Sequence, residues 1–301
     1  MYLSYSGHKT YSSCPRMYWH QYVGKTKLAT PENKVNSLYG TVVGTLFESF
    51  YRDRLWRETG IEQKLVELAP QHLTAAILRE TRTGAVRWKP DDKKANYASE
   101  QKLLDDVLTA IPRGLRIIRH HRLLGPTQSE AEVKLDHSVN QHTIGGRADF
   151  LIRRVAPHND LVLLDGKGSK WRGKYVDDRQ LRWYAMLHRL KHGFAPDRLG
   201  FVFWRCEAEN ALDWVGFTIE DLLALEAGVL DDMLRIEQHK TATEALQGQQ
   251  KVLAQQALFP VQPGDKCGLC TFLVICPDGL HFVECPVPLV AAGVDDIGLN
   301  D

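Results

Sequence analysis

The run LVLLDGK, residues 161–167, sets the terms on which this chain can fold. It reads as a short apolar strand that ends in charge. Alternate residues of a strand share a face, so Asp165 and Lys167 point the same way. Just upstream the apolar period is two. AEVKLDHSV and TIGGRADFLIRR are separated by Asn140 and Gln141, a hairpin-like pattern. Downstream, Leu181, Tyr184, Ala185 and Leu187 give helical spacing over 178–192, and GFVFWRC and DWVGFTI read as two more strands. Thr218 with Asp221 fits a capping box that opens a further helix.

The strands are preceded by helices. Val42, Val43, Leu46, Phe47 and Phe50 fall at helical spacing, and Leu103, Leu104, Val107, Leu108 and Ile111 do so again. TGAVRWKPDDKK, punctuated by Pro90, reads as a loop between them. The predicted fold class is therefore α/β, in four stretches. Residues 1–35 are a short aromatic and polar segment, 36–125 a helical region, 126–258 a mixed αβ core, and 259–301 a cysteine-rich tail. Residues 36–258 are expected to form one compact unit.

With 301 residues, 44% of them apolar and 25% charged, the chain can bury a core and is not disordered as a whole. Lys plus Arg is 38 and Asp plus Glu is 37, which excludes a strongly basic coat; nucleic acid would have to bind through a local patch. The N-terminus shows no apolar signal segment, and the longest apolar run, VPLVAAGV, is too short to span a bilayer. The expectation is a protein of the cytoplasm (of the host cell, were the source viral) with no membrane partner. In such a reducing compartment six cysteines are expected as ligands or core thiols rather than disulfides.

An acid and a lysine on one strand face, near the aspartate of another strand, suit a divalent cation held by oxygen, with the ammonium orienting a water. The plain alternative for Asp165-Gly166 is a turn. Fifteen residues separate Asp149 from Asp165, and Gln180 and Tyr184 then stand four apart on a helix, on one face. In this order, Gly146-x-x-Asp149, Asp165-Gly166-Lys167 and Gln180-x-x-x-Tyr184 resemble the PD-(D/E)XK nuclease superfamily, and within it the RecB-like nucleases. Ala148 stands where the family name has proline.

The resemblance implies a restriction-endonuclease-like core, a central mixed sheet flanked by helices. It implies that Asp149 bridges Mg²⁺ or Mn²⁺ ions, that Asp165 and the Gly166 carbonyl complete their coordination, and that Lys167 positions the attacking water. Gln180 and Tyr184 would hold the DNA strand and brace the site. Gly44-x-x-x-Glu48 matches an upstream helical motif in which histidine is usual, so Glu48 is the expected metal ligand there. On a helical wheel, however, Glu48 lies opposite the apolar stripe, which reads as a solvated side chain.

Cys267-x2-Cys270-x5-Cys276 has ligand spacing, and Cys14 stands about 250 residues earlier. Cys14 and Cys276 are each followed by proline, as iron–sulfur ligands sometimes are. Spacing alone leaves zinc open as well, with His281 as a fourth ligand. The iron–sulfur branch of RecB-like nucleases, which includes AddB-type helicase-nucleases and the CRISPR-associated exonucleases of spacer acquisition, is similar in placing one cysteine near the N-terminus and three as C-x2-C-x5-C after the core. That resemblance implies a structural 4Fe–4S cluster on Cys14, Cys267, Cys270 and Cys276. Cys206 is expected as a core thiol, and Cys285 as a competitor of Cys276.

Lys170, Trp171, Arg172 and Lys174 follow the catalytic lysine, and cations interleaved with aromatics suit single-stranded DNA. Arg113, Arg116, Arg119 and His120 read instead as a solvated helix face. Together the expectation is a metal-dependent exonuclease for single-stranded or end-unwound DNA; the 5′-to-3′ direction is implied by the resemblance alone. The rivals are a structure-specific endonuclease or the nuclease subunit of a recombination or CRISPR-adaptation complex, and, from another class, an inactive DNA-binding scaffold. The chain lacks a G-x-x-x-x-G-K-[ST] loop and so shows no helicase motor.

Overall fold

Strands carry the charged residues of interest, and the reason they do so begins with pairing. The structure, a computed structural model, describes residues 1–26, 33–81, 86–88, 97–125, 128–169 and 176–284. Among these, the strands are β1 (Tyr2–Ser4), β2 (Asn33–Lys34), β3 (Val86–Arg87), β4 (Ser129–Lys134), β5 (His137–Val139), β6 (His142–Gly145), β7 (Arg147–Arg153), β8 (Leu161–Lys167), β9 (Arg198–Phe203) and β10 (Leu212–Val215). The helices are α1 (Tyr5–Ser13), α2 (Pro15–Tyr18), α3 (Val35–Arg52), α4 (Ile61–Thr81), α5 (Glu100–His120), α6 (Asp178–His192), α7 (Ile219–Glu244), α8 (Gly248–Leu258) and α9 (Pro277–Glu284). None of the described helices is long and apolar enough to cross a membrane.

The chain divides into two compact units interleaved in sequence. Residues 1–5 and 30–234 form the first, and residues 6–29 and 235–301 the second.

In the first unit a five-stranded mixed sheet runs β10-β9-β8-β7-β4. Only β8 and β9 are parallel; the other neighbours are antiparallel. β8 lies at the centre, and Leu161, Val162, Leu163 and Leu164 are all buried. A strand covered on both faces reads as a continuous apolar run, which is why LVLL does not alternate. The hairpin expected around Asn140 and Gln141 is present. Asn140 has φ 54°, the left-handed conformation such a two-residue turn needs. One register runs the length of the hairpin: Val139 faces His142, and Ser129 faces Ile152. Its tip, β5 and β6, joins β1 in a separate three-stranded sheet, while β4 and β7 enter the main sheet. Leu135 and Gly146 exchange two backbone bonds at the crossing, 2.9 and 3.2 Å.

Helices α3, α4 and α5 complete the core of this unit. Leu38, Tyr39, Val42, Val43, Leu46, Phe47, Phe50 and Tyr51 are all buried on α3, an apolar stripe at helical spacing. Phe47 stacks on Trp204, ring centroids 4.2 Å apart. Ser99 caps α5 by accepting from the Lys102 amide at 3.2 Å. α6 spans the predicted 178–192, capped by Asp177 at its start and by Gly193, φ 85°, at its end. Thr218 and Asp221 form the reciprocal capping bonds expected before α7, 2.9 and 3.1 Å.

The second unit is held by aromatic contacts between distant parts of the sequence. Trp19 packs on Phe259, centroids 5.0 Å apart, and Arg16 donates from Nε to the Phe259 carbonyl at 2.8 Å. Cys14 is the N-cap of α2, with Pro15 in the first turn, where its missing N–H costs nothing. Short 3₁₀ turns over Asp265–Leu269 and Leu273–Ile275 present the downstream cysteines.

Candidate active site

The charged end of β8 receives side chains from three other elements. Asp165 is 3% exposed, and Lys167 forms an ion pair with its Oδ2. Both residues point to one side of the strand, as alternation requires. β7 brings Asp149 alongside: its Oδ2 accepts the Gly166 amide at 2.8 Å. α6 brings Gln180, whose Nε2 donates to Asp165 Oδ1 at 3.0 Å and to the Tyr184 hydroxyl at 3.3 Å. Tyr184 is buried, so among the described residues it braces Gln180 rather than offering a surface. Only glycine fits at 166, because a Cβ there would lie 2.9 Å from Trp204 Nε1 and 3.3 Å from the Phe150 ring.

Glu48 joins this group from α3. It is half-buried, not solvated as the helical wheel suggests. The wheel marks only the strongest apolar stripe and cannot see a flank of α3 that faces the sheet. Burial pushes the Glu48 carboxyl up to about 7, and Glu132 adds to the rise; Arg52, Arg147 and Arg79 oppose it. Asp149 is also raised, by burial first and then by Asp165, with Glu48 contributing. Asp165 is raised by burial, although Lys167 beside it acts the other way.

Glu132 is an acid that pattern reading passes over. In the hairpin register it stands across from Asp149, at the one position where the β4–β7 ladder is not paired, and its φ is 54°. It takes a hydrogen bond from Arg147 Nη1 at 2.7 Å. Counting back from the Asn140–Gln141 turn would have placed it there. The alternating pattern alone reads it as a polar position facing water.

The remaining expected residues divide three ways. Cys14, Cys267, Cys270 and Cys276 line one cavity of about 360 Å³ in the second unit, with Met17 and His20. The Gly264 amide donates to Cys267 Sγ at 3.4 Å. Burial raises the Cys270 thiol, and the neighbouring Cys14, Cys276 and Cys267 add to the rise. His281 does not line this cavity, and Cys206 packs against the apolar core of the first unit. Lys170, Trp171, Arg172, Lys174 and Cys285 lie outside the described residues. Arg116, Arg119 and His120 are exposed on α5, in keeping with a solvated face, while Arg113 faces Glu207 at 3.8 Å. Among the described residues no three His, Cys, Asp or Glu side chains converge closely enough to hold one ion.

The sequence profile of the PD-(D/E)XK nuclease superfamily matches residues 2–277. The chain belongs to the PD-(D/E)XK nuclease superfamily. No curated protein matches it. Among solved structures it overlaps loosely with a "Putative exonuclease" from Eubacterium rectale, at TM-score 0.42 and 14% identity, over 80% of this chain and 82% of that one. A second, SSO0001, gives TM-score 0.29 and 18% identity over 58% and 74%.

PD-(D/E)XK nucleases cleave nucleic acid with divalent ions such as Mg²⁺ or Mn²⁺. The residues of this nuclease fit such an ion on one observation. The Asp149, Asp165 and half-buried Glu48 carboxylates lie within electrostatic reach of one another without converging on one point, and burial first, with Asp165 and Glu48 acting on Asp149 and Glu132 on Glu48, raises the proton affinity of Asp149 and Glu48. A cation removes that cost, and hard divalent ions take carboxylate oxygen. Glu48, Asp149, Asp165 and the Gly166 carbonyl are the groups available to hold it.

Proposed function

We propose that this nuclease is an exonuclease of the RecB-like iron–sulfur branch. Its substrate is single-stranded or end-unwound DNA, which it degrades 5′ to 3′. The observation that supports a nuclease site is the hydrogen-bonded joining of Asp149, Asp165 and Gln180 with the Asp165–Lys167 ion pair at one strand end; branch, substrate and direction rest on the resemblance of the motifs.

Glu48, Asp149 and Asp165 would hold Mg²⁺ or Mn²⁺, which would supply Lewis-acid stabilisation of the charge that develops on the phosphate. Lys167, fixed by its ion pair with Asp165, orients a water against the phosphorus. A P–O bond forms to the water oxygen as the P–O ester bond to the leaving sugar oxygen breaks; the water gives up a proton to solvent, and the leaving oxygen takes one up from solvent to end as a hydroxyl. Gln180 keeps Asp165 aimed, and Tyr184 keeps Gln180 in place. Lys170, Trp171, Arg172 and Lys174 would grip the strand as it enters.

The same reading gives the second unit a structural 4Fe–4S cluster on Cys14, Cys267, Cys270 and Cys276. Two features support a cluster over a single zinc ion. The four thiols line one cavity of about 360 Å³. An amide aimed at Cys267 Sγ is a bond of the type that tunes iron–sulfur centres.

End-labelled single-stranded DNA, incubated with anaerobically prepared protein in Mg²⁺, Mn²⁺ or EDTA, tests activity and direction together. Label released from the 5′ end as short products, with none in EDTA, is the expected result. Internal cuts in closed circular DNA would give the endonuclease reading instead. No cleavage under any metal would leave a scaffold.

A further inference from the structure

We propose that Arg147 and Arg52 form a phosphate subsite on the Glu48 side of the carboxylates, which holds a backbone phosphate of the DNA strand next to the scissile one. The proposal rests on the nuclease reading and assigns a second grip besides the 170–174 segment.

The placement follows from the periods of the two elements. Arg147 and Asp149 are two apart on β7 and share its face. Arg52 and Glu48 are four apart on α3 and share a helical face. Each carboxylate thus has a guanidinium one repeat further along its own element, and both guanidiniums act on the same Glu48 carboxyl. The side chains of Arg147 and Arg52 are 61% and 55% exposed, so they are open to a ligand while the acids behind them are not.

Both arginines have partners already. Arg147 Nη1 bonds Glu132, and Arg52 bonds Asp53 at 3.0 Å and Ser49 Oγ at 2.8 Å. The single exposed contact of Arg147 to Glu132 is of a kind worth about 0–1 kcal/mol, so it can yield to a phosphate, whereas Arg52 holds both Asp53 oxygens, the second at 3.2 Å. A guanidinium has five N–H donors, and the bond to Glu132 takes one of them. Arg147 can therefore keep Glu132 and still present a fork to phosphate oxygen. Glu132 then has a use that pattern reading misses: it fixes the direction of Arg147 beside the metal-binding acids.

The test uses the full chain. Binding of a single-stranded oligonucleotide is measured against salt, in an Asp165→Ala background that cannot cut; KM and kcat are measured in the otherwise native chain. Arg147→Ala should lower the log–log salt slope by about 0.7, the value for one lost phosphate contact on a single strand. It should raise KM several-fold with kcat changed by less than about twofold, as lost uniform binding does. Arg147→Lys should keep the slope and recover part of KM. Mn²⁺ affinity, titrated without DNA, should not move. An unchanged slope and KM in Arg147→Ala would overturn the subsite while leaving the nuclease intact. So would a fall in Mn²⁺ affinity, which would make Arg147 a support for the carboxylates. If Arg147→Ala fails to fold, Arg147→Gln is read in its place. A native chain that neither binds nor cuts DNA would overturn the nuclease reading and the subsite with it.

Discussion

The carboxylate site of the first unit and the thiol cavity of the second solve the problem of gathering like-charged ligands in opposite ways. The carboxylates sit at strand ends and on long helices, and Asp149 and Asp165 accept hydrogen bonds from the protein itself, 2.8 Å from the Gly166 amide and 3.0 Å from Gln180. The thiols sit on 3₁₀ turns and a helix cap, beside apolar side chains that face water: Leu269 is 88% exposed and Val274 77%. A site built on a sheet is shaped before its ion arrives. A site built on turns draws much of its order from what it binds, because ligand bonds are then folding energy.

The largest effect should break the first site without touching its shape. Asp149→Ala or Asp165→Ala should take cleavage of labelled DNA below detection, and Lys167→Ala should cost about 10²-fold or more, the cost of a misplaced reacting group. Oligonucleotide binding should survive in all three. Full activity in Asp165→Ala would end the comparison, because the site would then have no chemistry to compare.

The second unit should fail differently. Cys14→Ala is expected to be colourless and prone to aggregate, with iron and sulfide lost, while the soluble fraction keeps its carboxylate metal affinity. Cys206→Ala should stay brown. Elemental analysis decides the matter: about one zinc and no iron in anaerobic protein would make the thiol site a zinc site.

Glu48→Ala should lose activity by about tenfold or more, each tenfold being about 1.4 kcal/mol. Glu48→His should keep a part of it, with greater dependence on Mn²⁺. Kinetics unchanged in Glu48→Ala would show that burial alone, not a metal, placed that acid.

The smallest effect is a pH dependence. The Glu48 and Asp149 carboxyls are raised in the folded protein, so folding takes up protons. Their stabilising contribution is present below the ordinary carboxylate range and is lost as pH rises through about 7, the Glu48 value. Mg²⁺ should therefore raise the melting temperature more at about pH 8 than at about pH 6. A shift of equal size at both would mean that the acids are already ionised and compensated.

Much of this was legible in the chain because it is local. The hairpin, β8 and α6 follow from periods of two and 3.6 within a dozen residues, and they place Asp149, Asp165, Lys167, Gln180 and Tyr184 together. Glu48 was legible through resemblance, since its wheel position argues for water. Glu132 needed register as well as pattern. The joining of residues 6–29 to 235–301 was not legible at all, apart from the lone Cys14. Bonds such as Arg16 to Phe259 link positions far apart in sequence and leave no periodic trace.

The close approach of Gly168 to Gly40 has a mechanical meaning. Gly168 follows the lysine strand, and a Cβ built on it would stand 2.6 Å from the Cα of Gly40, on the helix that carries Glu48. The two backbones touch there with no side chain between them. α3 and the end of β8 thus form a closed joint, with Glu48 two turns along one arm and Lys167 at the tip of the other. A single methyl group at Gly168 would act as a shim: it would open the joint and move one metal-holding acid away from the rest without altering any residue that does chemistry.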